Sequence, residues 1–172
     1  MDARRVLEVL DHLAARNLQA WLDGGWGIDA LLGRQTRPHD DLDLIVQLDD
    51  LSRVEQALRE LGYVFTGCER PGIVEYLVDA EGHQVDVHPV RFTETGEALY
   101  TMTNGEDWIY PPGALTGIGD ILGRAVPCQT PDVILVAHAT GYGLDEAHER
   151  DVIALSESFG IPLPEYHTAS DS

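Results

Sequence analysis

The run Asp41-Leu-Asp-Leu-Ile-Val-Gln sets two carboxylates at the head of an otherwise apolar strand. Side chains at i and i+2 leave the same face of a strand, so Asp41 and Asp43 project into one space. Like charges that close repel unless a cation stands between them. A hard divalent ion with oxygen ligands, magnesium above all, suits such a pair. Asp40 faces the other way from both. Taken alone, an Asp-x-Asp reads more readily as a solvated acidic turn ahead of a strand.

Two further segments change that balance. Gly24-Gly25 lies between a short strand, Gln19 to Leu22, and a helical pattern from Trp26 to Leu32. Glycines there let the backbone approach a ligand closely, and a helix N-terminus favours phosphate. A tight strand-to-helix turn would use the same pair. Arg34 and Arg37 follow and offer forks for phosphate, or are exposed loop arginines. Further on, Gln84-Val-Asp-Val-His-Pro alternates, so Gln84, Asp86 and His88 share one face and Val85 and Val87 the other. An aspartate between two valines reaches solvent or meets a partner, because burying an unpaired charge is costly. Beside the first strand, Asp86 becomes a third metal ligand or the base that deprotonates an attacking hydroxyl. His88 reads as a structural or supporting histidine. A Gly-Gly turn, an Asp-x-Asp strand and a later Asp strand are together the parts of a two-metal nucleotidyl-transfer site.

The rest of the chain is an α/β (α+β) arrangement, with helices at both ends around a mixed sheet. Apolar spacing predicts helices over residues 3–16, 50–62, 131–139 and 145–159, with Gly33 stopping the helix that begins at Trp26. Strands are predicted over 41–47, 63–66, 73–78 and 84–90, the last two joined as a hairpin through Asp79-Ala-Glu-Gly. Residues 93–125, rich in Gly, Thr and Pro, are expected to form loops and short strands. With no repeat, linker or composition break, residues 1–165 are expected to be one domain and 166–172 a frayed tail.

Charge narrows the partners. The chain has 172 residues, 30 acidic side chains against 11 basic ones, and a formal net charge of −19. All the basic side chains are arginine, so lysine chemistry is absent. So acidic a surface repels phosphate backbones and favours cationic small molecules and divalent metals, and no nucleic-acid partner is expected. Two cysteines make no disulfide framework, no apolar run reaches the ~20 residues of a membrane helix, and no signal-peptide core opens the chain. A cytoplasmic protein with no membrane partner is expected.

Leu22-Asp-Gly-Gly-Trp-Gly-Ile-Asp and Thr36-Arg-Pro-His-Asp-Asp-Leu-Asp resemble the nucleotidyltransferase superfamily of DNA polymerase beta. More closely, they resemble its small antibiotic-modifying members, the lincosamide and aminoglycoside (2″) nucleotidyltransferases. Val85-Asp-Val-His-Pro is similar to the lincosamide group, and His148-Glu-Arg-Asp-Val-Ile-Ala-Leu looks like the closing helix of such enzymes. The resemblance covers about residues 3–160. It implies a nucleotidyltransferase fold with a mixed sheet of about five strands flanked by helices. It implies magnesium-dependent transfer of a nucleoside monophosphate from a nucleoside triphosphate, ATP for preference, to an antibiotic hydroxyl, with release of pyrophosphate. Asp41 and Asp43 would hold the metal, two ions being expected, and Asp86 would be the general base. Gly24, Gly25 and the backbone of Trp26 would line the triphosphate.

The chain departs from the superfamily pattern in places, and the loop between Gly25 and Asp41 is longer than in the polymerases. Many superfamily members carry Ser where Gly25 stands, so a side-chain phosphate contact would be missing. Glu75 rivals Asp86 as the base if the strand order differs. Among acceptors, Tyr100, Trp108 and Tyr110 lean towards an apolar lincosamide if they line a pocket rather than a core. An aminoglycoside is the alternative, and a partner protein in a toxin–antitoxin pair is another. A nucleotide-binding module without turnover would be expected to lack one of the three aspartates, and all are present. Small enzymes of this kind that pair through their helices make a homodimer compatible with the chain.

Overall fold

The computed structural model describes residues 1–68, 74–140 and 146–163. Asp2 caps the first helix, α1 (Ala3–Ala14), by accepting the Arg5 N–H at 2.9 Å. A short strand, β1 (Ala20–Leu22), leads into α2 (Gly24–Leu32), and Gly33 ends that helix in the left-handed conformation. Next come β2 (Asp41–Gln47), a 3-10 turn at Leu48–Asp50, and α3 (Leu51–Glu60). The strands β3 (Val64–Cys68), β4 (Glu75–Val78) and β5 (Gln84–Phe92) follow. Two hairpins complete the strands: β6 (Ala98–Thr101) with β7 (Asp107–Tyr110), and β8 (Gly117–Ile121) with β9 (Arg124–Cys128). The chain then forms α4 (Pro131–Thr140) and α5 (Glu146–Phe159).

The sheet runs β3-β4-β5-β2-β1-β9-β8, with β6 added to β5 and β7 to β6. It is mixed: β2 pairs parallel with β5 and β1 parallel with β9, and the other pairings are antiparallel. Among the described residues, nine strands stand where about five were expected. The excess comes from the Gly-rich stretch after residue 93. Strands of four or five residues there are closed by turns on positive-φ residues, among them Leu122 and Gly123. Successive positive φ is the geometry of a tight hairpin turn, and it lets short strands pair without an apolar pattern of their own.

Burial follows the pleat. Leu42, Leu44 and Val46 of β2 and Val85 and Val87 of β5 are fully buried against Val6, Val9 and Leu13 of α1 and Val54 and Leu58 of α3. Trp26 and Ala30 of α2 join that cluster. Ile28 instead packs with Ile134 and Leu135 of α4 and Val152 and Leu155 of α5. The opposite face of the sheet carries Ile45 and Val90, covered by Ala98, Tyr110 and Ala114. That cover stops short of the aspartates, which leaves the start of β2 as the open part of the face.

Several boundaries differ from expectation: α1 ends at Ala14 and α3 at Glu60, while β3 and β5 run on to Cys68 and Phe92. The second helix begins at Gly24 rather than Trp26, so the two glycines are its first turn and not a separate turn ahead of it. The third starts after a 3-10 turn, and Tyr63 is buried core rather than strand. Ile73, Asp145 and the tail after Pro164 lie outside the described residues. Among the described residues, no helix is long and apolar enough to cross a membrane.

Candidate active site

In the parallel ladder Asp43 stands beside Asp86, Asp41 beside Gln84, and Ile45 beside His88. Laterally paired residues share a face, so the three aspartates and His88 occupy one side of adjacent strands. Gln84 Nε2 donates to Asp86 Oδ1 at 2.7 Å, and His88 Nε2 lies 3.1 Å from Asp43 Oδ1. Glu75 pairs with Val87 and so lies on the other face, away from this group.

The charges are crowded. Burial pushes the Asp86 carboxyl up to about 6; the Gln84 bond opposes the rise, and Asp43 and Asp41 add to it. Asp41 is raised by burial and then by Asp43. For His88, burial opposes the imidazolium but is outweighed by Asp43, Asp23 and Asp86, so its pKa rises. This is a site short of positive charge.

The first turn of α2 closes the site from the side. Asp23 caps it, accepting the Gly24 N–H at 2.7 Å and a bond from Gln129 Nε2. Burial lifts the Asp23 carboxyl to about 6. A Cβ on Gly24 would come within 2.8 Å of the Asp43 carboxyl carbon. A Cβ on Gly25 would meet the His39 ring at 2.5 Å and Arg37 Nη2 at 3.0 Å. The two glycines thus admit the Asp43 carboxylate on one side and Arg37 with His39 on the other. The Gly25 and Trp26 N–H groups belong to the open first turn, where a helix has no internal acceptor for them.

His39 crowds position 25, so a Ser there would have to displace its ring. Its ring packs on Trp26 at a centroid distance of 5.0 Å and bonds Asp29 Oδ2 at 2.5 Å. The other Asp29 oxygen accepts the Thr36 N–H and hydroxyl. This buried knot folds the 34–40 turn back over the start of α2. It carries Arg37 to Gly25, where Arg37 Nη2 donates to Asp151 Oδ2 of α5 at 3.2 Å. Arg34 goes elsewhere. It is exposed beyond the far end of α2, a helix about 13 Å long, and its N–H donates to Asp29 O.

Tyr100, Trp108 and Tyr110 of the β6–β7 hairpin pack with Ile45 on the aspartate face. Tyr100 meets the His88 ring edge-on at 5.6 Å. Tyr110 is buried, while Tyr100 and Trp108 are half-buried. Sequence reasoning missed Asp23, Asp29, His39, Gln129 and Asp151. Asp23 carries a usable signal, an aspartate directly ahead of a helix.

The comparisons with known proteins place the chain in a family. Residues 5–155 match the family model for aminoglycoside-2″-adenylyltransferase. The chain belongs to the aminoglycoside-2″-adenylyltransferase family. A member named 2″-aminoglycoside nucleotidyltransferase, from Escherichia coli, is 45% identical over 138 residues, covering 78% of this chain and 73% of that protein. A lincosamide resistance protein from Staphylococcus haemolyticus is 28% identical over 149 residues, covering 86% and 88%. The crystal structure of the lincosamide antibiotic adenylyltransferase LnuA with lincomycin bound superposes with a TM-score of 0.79 at 26% identity, over 91% of this chain and 97% of that one. ANT(2″)-Ia in complex with adenylyl-2″-tobramycin shares the fold, with a TM-score of 0.72 at 23% identity over 91% and 88%. The chain is thus a nucleotidyltransferase of an antibiotic-resistance family.

Proposed function

We propose that this enzyme transfers AMP from ATP to a hydroxyl of a lincosamide, with magnesium held by Asp41 and Asp43, and so confers resistance. The observation that carries the chemistry is the register that sets Asp43 beside Asp86, with Asp41 on the same face. Among the described residues no three ligating side chains converge into a ready-made metal cage. That suits magnesium, which takes one or two carboxylates and fills its remaining positions with water and substrate phosphate. The crowded carboxylates, with raised Asp41 and Asp86, fit a cation brought in with the nucleotide. Two such ions would supply charge neutralisation on the triphosphate and on the attacking oxygen.

The side chains then divide the work. The Gly25 and Trp26 N–H groups bind phosphate oxygens at the start of α2, and Arg37 meets the same phosphates from its other side. Asp86 accepts the proton of the acceptor hydroxyl. The hydroxyl oxygen forms a bond to the α-phosphorus as the bond to the bridging oxygen breaks, and pyrophosphate leaves. Gln84 holds one Asp86 oxygen and so presents the other to the acceptor. Residues 1–165 act as a single nucleotidyltransferase domain in this reading.

The half-buried Tyr100, edge-on to His88, and Trp108 in the same cluster support an apolar acceptor, and the lincosamide resistance protein aligns over the greater share of the chain. A second reading, an aminoglycoside acceptor, is favoured by the 45% identity to the E. coli enzyme and by the net charge of −19. A transfer assay separates them. Purified enzyme, magnesium and each of the four nucleoside triphosphates are incubated with lincosamides and aminoglycosides, and products are read by mass spectrometry. An AMP adduct on a lincosamide supports the first reading, and one on an aminoglycoside alone replaces it with the second.

A further inference from the structure

We infer that Asp151 is the positioning residue for Arg37, tying the closing helix α5 to the triphosphate end of the site. The inference rests on the nucleotidyl-transfer reading above and adds to it a residue 114 positions away in sequence from the arginine it serves. Arg37 lies in the 34–40 turn, which has no regular structure of its own. A long side chain on such a turn has no fixed place for its charge. Three observations give it one. Nη2 donates to Asp151 Oδ2 at 3.2 Å, the same nitrogen lies 3.0 Å from where a Gly25 Cβ would stand, and the Arg37 Nε is buried with no hydrogen-bond partner among the described residues. The guanidinium is therefore held at one edge by a carboxylate, a third of its side chain remains exposed, and it stands at the phosphate end of α2.

Asp151 is built into the core rather than placed on the surface. It is 4% exposed, and its neighbour Val152, with Leu155 one turn on, is locked against Ile28 of α2 and Ile134 of α4. Helix packing alone would be served by an apolar residue here. A buried carboxylate facing one arginine is costly unless that arginine stays, so the pair fixes both partners. Because α5 packs directly on α2, the carboxylate is fixed relative to the Gly25 and Trp26 N–H groups. Arg37 is thereby pre-set to meet the β- and γ-phosphates and does not have to be ordered when nucleotide arrives.

Calorimetric binding of magnesium–ATP and of AMP to the full chain tests this, together with steady-state kinetics. Asp151→Asn should weaken magnesium–ATP about five- to tenfold and leave AMP affinity within about twofold, since AMP lacks the phosphates that Arg37 meets. The KM for ATP should rise while kcat stays within about twofold. Arg37→Gln should lose at least as much, adding Asp151→Asn to it should cost nothing further, and Asp151→Glu should restore part of the affinity. Unchanged ATP affinity in Asp151→Asn, equal losses for ATP and AMP, or additive losses in the double variant overturn the inference and leave a structural ion pair. If Asp151→Asn does not fold, Arg37→Gln decides: ATP affinity equal to wild type overturns it. A wild-type enzyme that binds no triphosphate removes the functional reading itself, a failure distinct from all of these.

Discussion

The Asp43 carboxylate fills the space that a side chain on Gly24 would need, with its carboxyl carbon 2.8 Å from where a Cβ would lie. Gly24 also holds φ at +57°, in the left-handed region. Gly24→Ala therefore has to move the carboxylate or the first turn of α2. We expect kcat/KM to fall about 100-fold or more, the scale of an ångström's misplacement, at a stability cost of about 1–2 kcal/mol. Kinetics and thermal melts of this one variant report both.

Asp43→Asn removes a charge from a crowded face and leaves an oxygen for His88. Transfer should drop about 100-fold or more, while stability stays within about 0.5 kcal/mol of wild type, because like-charge repulsion is relieved. Near-normal turnover would remove Asp43 from the metal site.

Asp86→Asn separates base from ligand. As the base, its loss should lower kcat by about 100-fold or more and leave nucleotide affinity largely intact. Equilibrium binding that collapsed with the rate would instead make Asp86 a metal ligand.

Asp79, at the β4–β5 turn, gives a pH signature away from the site. Burial would raise its carboxyl, but the His83 side chain and the His83 and Glu81 N–H groups outweigh that and hold it at about 2. Its folded pKa is thus below the unfolded value of about 3.9. The stabilisation, about 2 kcal/mol, is present above pH ~4 and lost as pH falls towards ~2. Asp79→Asn should cost about that much at neutral pH, and its denaturant midpoint should converge on wild type in acid. Parallel curves at all pH values would contradict this.

How much of this was legible in the sequence follows from the range of the interactions. Strand β2 could be read to the residue because its signal, Asp-x-Asp ahead of an apolar run, is local. The face shared by Gln84, Asp86 and His88 also followed from alternation alone. That Asp86 lies beside Asp43 depends on a parallel pairing across 43 residues, which no local pattern encodes. Gly24 and Gly25 read as a turn ahead of the helix because glycine is a poor helix former; they stand instead in its first turn, where carboxylate and imidazole leave no room for a side chain. The ties from His39 to Asp29 and from Arg37 to Asp151 were invisible, since buried partners of these types carry no periodicity. The stretch after residue 93 was legible as loops and short strands, but its pairing into two hairpins was not.

One measurement bears most directly on the central claim: pyrophosphate release counted against adduct formed. Enzyme, magnesium, ATP and a lincosamide are sampled over time, with adduct read by mass spectrometry and pyrophosphate by a coupled assay. The account predicts one pyrophosphate for each AMP–lincosamide adduct, and neither product with a chelator or in Asp43→Asn. ATP consumed without adduct on any lincosamide or aminoglycoside, or adduct formation that survives Asp43→Asn, would contradict it.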